Sequence, residues 1–218
     1  MQVVEKFVSI NGEGVKCGQL AVFIRFKGCN LKCAYCDTSW ANEADCTYEK
    51  MNIDQIVSYI LKTNVNNVTL TGGEPLLQPK MLNLLKELDK HPHLQVEIET
   101  NGSIDISPFA AGSRAHFTMD YKLESSGCER YMLKDNFYYL KREDTVKFVV
   151  GSNEDLLKAK SLIDKYGLVN RCNVYLSPVF GEINPQKIVE FMIDNNMNGA
   201  NMQLQLHKFI WDPDKRGV

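Results

Sequence analysis

The sequence carries no excess charge of either sign: its 218 residues hold 25 Lys and Arg against 27 Asp and Glu, a formal net charge of -2. Without a positive field nothing holds a polyanion, and no nucleic-acid partner is expected. Apolar runs of bilayer length are also missing, so no membrane partner is expected. Residues 1–10 carry Glu5 and Lys6 and no apolar segment ahead of a small-residue cleavage site. They do not read as a secretory signal, and a cytoplasmic location is the expectation. Histidine is scarce. Of the four, His91 and His93 flank Pro92 while His116 and His207 stand alone, which gives no nucleophilic pair and no metal knuckle; structural roles are expected. What the chain does have is a globular balance, 44% hydrophobic and 24% charged, which excludes disorder and suits a single domain over 1–218.

The seven cysteines are an odd number, which argues against a complete disulfide framework. Cys29, Cys33 and Cys36 cluster, whereas Cys17, Cys46, Cys128 and Cys172 are scattered. A structural zinc using Cys46 as fourth ligand is disfavoured, because the long step from Cys36 is unlike a paired knuckle and no second Cys-x2-Cys exists. Cys128 and Cys172 read as buried inert thiols, and Cys17 and Cys46 have no assigned role. Three thiolates suit a [4Fe-4S] cubane, which needs four ligands and so keeps one iron open to an outside molecule. The order Cys-x3-Cys-x2-Cys, followed at once by Asp37-Thr38, resembles the radical S-adenosylmethionine superfamily.

Alternation of apolar residues predicts strands over 19–27, 67–71, 94–100, 115–119, 145–150 and 173–177, with a closing strand over 202–206. Helical stripes follow Asn52, which pairs reciprocally with Gln55, and run from Pro79 through Leu88, over 153–166 and over 185–195. Residues 103–114 and 123–144 show no such stripe. Alternating strands and helices imply parallel pairing, in a doubly wound sheet or an incomplete barrel, and periodicity does not choose between them. In both, ligands bind at the carboxyl ends of the strands, where the cysteine loop and Gly72-Gly73-Glu74-Pro75 fall, so the two motifs can face each other.

Gly72 and Gly73 offer close backbone approach, and Glu74 adds a carboxylate able to orient the ammonium of S-adenosylmethionine; taken alone, the pair is a turn. Arg25, inside an apolar strand, should meet a carboxylate or carbonyl oxygen. A glutamate such as Glu97 or Glu99 supplies a structural ion pair, or the guanidinium anchors a substrate. Thr38 caps the next turn or binds a hard cation such as Mg²⁺. Lys122 is a solvated loop charge or a cofactor contact.

The segments Ser9-Ile10-Asn11-Gly12-Glu13-Gly14, Phe23-Ile24-Arg25-Phe26-Lys27-Gly28-Cys29 and Cys33-Ala34-Tyr35-Cys36-Asp37-Thr38 together resemble the 7-carboxy-7-deazaguanine synthase (QueE) family. Thr71-Gly72-Gly73-Glu74-Pro75, Glu99-Thr100-Asn101-Gly102 and Gln205-Leu206-His207-Lys208 extend the resemblance over nearly the whole chain. It implies an α/β fold, a shortened, incomplete (β/α)6 radical-SAM barrel with reduced helix content. The implied activity is that of a carbon–nitrogen lyase: radical ring contraction of 6-carboxy-5,6,7,8-tetrahydropterin to 7-carboxy-7-deazaguanine with loss of ammonia, on the route to queuosine. Also implied are a homodimer, a small-molecule pterin substrate and a flavodoxin-type reductant.

By the same resemblance Cys29, Cys33 and Cys36 hold the cluster. S-adenosylmethionine lies near Tyr35, Cys36, Asp37, Gly73 and Glu74, with Asp120, Tyr121, Lys122, Ser177, Pro178, Val179 and Phe180 in further cofactor-contacting segments. Substrate contacts fall at Ile10, Asn11, Gly12, Arg25, Thr71 and the carboxylate of Val218, and Mg²⁺ at Thr38. Two departures are visible. Asn11 stands where glutamine is frequent, so a backbone contact would survive while a side-chain contact would reach less far, and Asp120-Tyr121-Lys122 differs from a Ser-Pro-Lys form. The rival enzyme with this cysteine spacing is a glycyl-radical activase acting on a partner protein, disfavoured by Arg25 and the Asn-Gly-Glu-Gly segment. A non-catalytic zinc or interaction module is the alternative of another class.

Overall fold

The computed structural model describes residues 1–218. Nine strands form one sheet in the order β3-β1-β2-β4-β5-β6-β7-β8-β9. They are β1 (Gln2–Ile10), β2 (Leu20–Phe26), β3 (Glu49–Lys50), β4 (Asn67–Gly72), β5 (Gln95–Thr100), β6 (His116–Tyr121), β7 (Thr145–Val150), β8 (Asn173–Pro178) and β9 (Ala200–Met202). From β2 through β9 all neighbours are parallel. Only β1 and β3, at one edge, run antiparallel. The first and last strands in that order do not pair, so the sheet is open, an incomplete barrel.

Helices α1 (Ile53–Lys62), α2 (Met81–Leu88), α3 (Ser107–Gly112), α4 (Asn153–Tyr166) and α5 (Pro185–Asp194) fill the crossovers, and α6 (His207–Ile210) follows β9. The Asn52 side chain accepts from Gln55 N–H while Gln55 accepts from Asn52 N–H, both at 2.8 Å, so the α1 capping box forms as the sequence indicates. In α4, Ser152 caps the start and Gly167, at φ 58°, ends it in a left-handed turn. The β6–β7 crossover holds only three 3₁₀ turns, Glu124–Ser126, Glu129–Tyr131 and Lys134–Tyr138. Helix content is reduced there, as expected.

Three expectations need correction. The chain opens with a nine-residue strand, β1, which alternation over 19–27 did not reveal; its own side chains are mostly half-buried, so its apolar rhythm is weak. The last strand lies at Ala200–Met202 rather than 202–206, and Leu206 already begins the next turn. A short α3 forms within 103–114, started by Pro108 in its first turn.

The apolar core lies on one side of the sheet. Ile24, Leu70, Ile98, Met119, Phe148 and Leu176 point alternately from β2 and β4 through β8 toward the helices, and join Ile56, Ile60, Leu84 and Leu162. The residues between them, Arg25, Thr71, Glu99, Thr118 and Lys147, share the opposite face by period-two alternation. No helix in the chain is long and apolar enough to cross a membrane.

Candidate active site

A cleft of about 560 Å³ opens at the carboxyl ends of the strands. It brings together Cys29, Cys33 and Cys36 with Gly12, Arg25, Tyr35, Asp37, Thr38, Thr71, Gly73, Asp120, Lys122, Val179, Phe180 and Val218. Six residues singled out from the sequence do not line it: Ile10, Asn11, Glu74, Tyr121, Ser177 and Pro178. Asn11 is buried behind the wall, its N–H bonded to Gln19 O at 2.8 Å and its Oδ1 accepting from the Thr69 hydroxyl at 2.9 Å. With the N–H committed, a contact from Asn11 falls to its side-chain Nδ2, which is buried without a partner. Tyr121 packs in the core against Phe137, ring centroids 5.2 Å apart.

The Gly-Gly-Glu turn has a different local logic from the one its composition suggests. A Cβ on Gly72 would overlap the backbone of Phe26, and one on Gly73 would overlap the Gly28 carbonyl and Asn42 Oδ1. The close approach that demands glycine is therefore to the chain itself. Gly73 N–H bonds Phe26 O at 3.2 Å and Glu74 N–H bonds Gly28 O at 2.8 Å, clamping the turn to the residues that launch the cysteine loop. Glu74 is fully buried and does not line the cleft. Its Oε1 accepts from Leu76 N–H at 3.0 Å, its Oε2 from Asn101 N–H at 2.7 Å, and the Thr100 hydroxyl lies 3.0 Å from both. Burial pushes its carboxyl up to about 7 against the pull of those donors. The side chain is a latch between two strand ends.

The three clustered thiols are half-buried on one wall. Cys29 Sγ accepts from Leu31 N–H at 3.4 Å and from Asn101 Nδ2 at 3.5 Å, and Ala34 N–H ties the loop to Ser126 O at 3.0 Å. Burial raises all three thiols, Cys33 to about 12, so a positive centre is what would favour their thiolates. The Thr38 hydroxyl donates to Asp37 Oδ1 at 2.7 Å and makes no capping bond to the following turn.

Arg25 finds its acid on β1, the strand not foreseen: Nε lies 3.0 Å from Glu5 Oε2, in place of Glu97 or Glu99. Among its nitrogens Nε is engaged by a side chain, and the residue lines the cleft. The floor holds a chain of charges. Gln205 Nε2 and Lys147 Nζ both donate to Glu13 Oε2, at 3.1 and 2.9 Å; Lys147 lies 3.5 Å from Asp120 Oδ2, which Lys122 reaches at 2.8 Å. Burial alone would raise the Asp120 carboxyl, but Lys122 and Lys147 bring it below its ordinary value.

Glu13, Lys147, Glu99, His207, Lys208 and Trp40 line the cleft without having been assigned there. Burial pushes the His207 imidazole below its ordinary value, and its ring occupies the space that a Cβ on Gly12 would need. Lys147 was visible as the lone charge in Thr145-Val146-Lys147-Phe148-Val149-Val150, the same signal that marked Arg25. The segment after α6 packs against the turn that follows the cysteine loop, with the Arg216 guanidinium 4.1 Å from the Trp40 ring centroid. As expected, Cys128 and Cys172 are buried.

Comparison with known proteins places this geometry among relatives. A model of the radical SAM superfamily matches residues 23–194. A protein of Clostridium acetobutylicum named 7-carboxy-7-deazaguanine synthase is 56% identical, covering 100% of this chain and 99% of its own length. One of the same name from Chlorobaculum tepidum is 38% identical, covering 100% and 97%. Among solved structures, QueE from Escherichia coli superposes with a TM-score of 0.74 over 94% of both chains at 22% identity, a likeness of fold.

Proposed function

This chain belongs to the radical SAM superfamily and, within it, to the 7-carboxy-7-deazaguanine synthase family, and from that membership we propose how its cleft carries out that family's reaction. The activity is the radical ring contraction of 6-carboxy-5,6,7,8-tetrahydropterin to 7-carboxy-7-deazaguanine, with loss of ammonia, in queuosine biosynthesis. A [4Fe-4S] cluster and S-adenosylmethionine are the cofactors of the superfamily, and when bound they supply a carbon radical able to take hydrogen from the substrate. The observation that carries the reading is that one cleft holds the three-cysteine loop together with a forked cation and acidic side chains with unpartnered oxygens, a lining suited to a small polar substrate.

Residue by residue, Cys29, Cys33 and Cys36 would ligate the cluster, with the Asn101 amide donating to the Cys29 sulfur. Tyr35, Asp37, Gly73, Asp120, Lys122, Val179 and Phe180 form the S-adenosylmethionine side. On the substrate side Arg25, held at Nε by Glu5, grips the pterin carboxylate with its terminal amines, joined by Gly12 and Thr71. Mg²⁺ at Thr38 would fix the same carboxylate in orientation. A homodimer, a flavodoxin-type electron donor, a cytoplasmic location and a single catalytic unit over 1–218 complete the proposal. The activase reading loses its support, because this polar cleft suits a small molecule and the full-length relatives bear the synthase name.

The test is anaerobic turnover of the reconstituted protein with reductant, S-adenosylmethionine and carboxytetrahydropterin. Deazaguanine product is expected. A preparation that retains its cluster and cleaves S-adenosylmethionine yet forms no product would overturn the proposal.

A further inference from the structure

Lys147 stands in the middle of β7, a strand whose six residues are all buried, and its side chain is only 10% exposed. It bridges two carboxylates of the cleft lining: Glu13 Oε2 at 2.9 Å in the loop following β1, and Asp120 Oδ2 at 3.5 Å at the end of β6. The two carboxylates share a pattern. Glu13 Oε2 takes a second donor, Gln205 Nε2, and Asp120 Oδ2 takes a second donor, Lys122 Nζ. Their other oxygens, Glu13 Oε1 and Asp120 Oδ1, are buried with no hydrogen-bond partner.

Stability alone does not account for this arrangement. A buried ion pair is at best roughly neutral against apolar side chains of similar volume, and a buried acceptor without a donor is a further cost. Two carboxylates that line the cleft, each engaged on one oxygen and unpartnered on the other, are candidates to meet a ligand's donors. The ammonium stays charged in this setting, because Asp120, Glu13 and Glu99 outweigh the burial that would neutralise it. From Asp120 the chain continues to Lys122, whose Nζ lies 5.9 Å from the centroid of Tyr35 in the cysteine loop.

We propose that Lys147 is a positioning residue: by holding Glu13 and Asp120 through one oxygen each, it keeps their second oxygens available to N–H and O–H donors of the two ligands, and so couples substrate binding to S-adenosylmethionine binding. This deepens the reading above and rests on it for the identity of the ligands. The substrate-side donor that suits Glu13 is an amidine-like or amide N–H edge. The cofactor-side donors that suit Asp120 are hydroxyls or an ammonium.

The test measures dissociation constants for S-adenosylmethionine, with and without carboxytetrahydropterin, on anaerobically reconstituted wild type, Lys147→Met and Lys147→Arg. Iron and sulfide content is the control for an intact protein. Loss of a charge-assisted contact predicts that Lys147→Met weakens each ligand by about 10- to 100-fold. It also predicts that prior pterin binding no longer tightens the cofactor, and that Lys147→Arg recovers at least part of both effects. A Lys147→Met protein that loads its cluster and holds both ligands within about threefold of wild type overturns the proposal, as does weakening confined to one ligand. If the Met variant loads no cluster, Lys147→Gln decides by the same criteria, since it removes the charge while keeping a donor. Should wild type bind S-adenosylmethionine but not the pterin, the functional reading fails, and the cofactor arm still tests the hold of Lys147 on Asp120.

Discussion

Glu74 separates two physical accounts of the same motif, and Glu74→Gln tells them apart. In the structure Oε1 receives Leu76 N–H at 3.0 Å and Oε2 receives Asn101 N–H at 2.7 Å, with Thr100 donating between them. Glutamine keeps one acceptor oxygen but replaces the other with an amide nitrogen that only donates, so one buried backbone N–H loses its partner and meets a donor. That costs about 1–3 kcal/mol. Alanine abandons both N–H groups, and the loss rises to about 2–6 kcal/mol. Urea unfolding at pH 8, above the raised carboxyl value of about 7, is the assay, run beside iron content and S-adenosylmethionine affinity. The midpoint should fall for Gln and further for Ala, while protein that keeps its cluster binds the cofactor within about threefold of wild type. Unchanged stability with a tenfold or greater loss of cofactor affinity would refute the latch and restore Glu74 as an ammonium partner.

Gly73→Ala should cost about 1–3 kcal/mol through overlap with the Gly28 carbonyl and lower cluster loading with it; a melting temperature equal to wild type would show that the turn is not clamped as described. Glu97 is 7% exposed, and burial, with Glu99 adding to it, raises its carboxyl to about 7 from 4.5. A raised folded value means that its protonated form stabilises the fold. That contribution is complete below about pH 4.5 and is lost as pH rises to about 7, amounting to about 3 kcal/mol. Glu97→Gln should flatten this part of the stability–pH curve, and an unaltered slope would contradict the assignment. Thr38→Val removes the hydroxyl that now donates to Asp37 at 2.7 Å, and should abolish stimulation of turnover by Mg²⁺ while S-adenosylmethionine cleavage persists. A variant still stimulated by Mg²⁺ moves the cation elsewhere.

Much of the scaffold was legible because its strands alternate. The strand over 145–150 and the helix over 153–166 have the bounds read from the sequence, and the Asn52–Gln55 box forms as written. Register and edge strands were not legible: β1 carries a half-buried pattern whose apolar positions show only once β2 lies against it, with Phe7 stacked on Phe23 at 5.0 Å. For the same reason the partner of Arg25 was misplaced, since an antiparallel neighbour sets Glu5 opposite it. In the cleft, the cysteine spacing carried its own chemistry. Glu13 and His207 did not, because an acid in a glycine-rich loop and an isolated histidine acquire meaning only from what the chain folds beside them.

A closed barrel of this kind fills its interior with layers of branched aliphatic side chains. Here the inward face of β2 and β4 through β7 carries Arg25, Thr71, Glu99, Thr118, Asp120 and Lys147, and the sheet stays open around them. Charges so placed cannot hold the strands together on balance, because their desolvation roughly cancels their attraction. Cohesion must come from the other face, where a cluster of 42 buried apolar residues joins the strands to the helices. Alternation along each strand thus assigns stability to one set of positions and reactivity to the set between them. Leu70 and Thr71, or Phe148 and Lys147, are neighbours in sequence with opposite duties. Such a sheet can change its chemistry at inward positions without touching its core, and Lys147, the lone charge in β7, sits at one of those positions and lines the cleft.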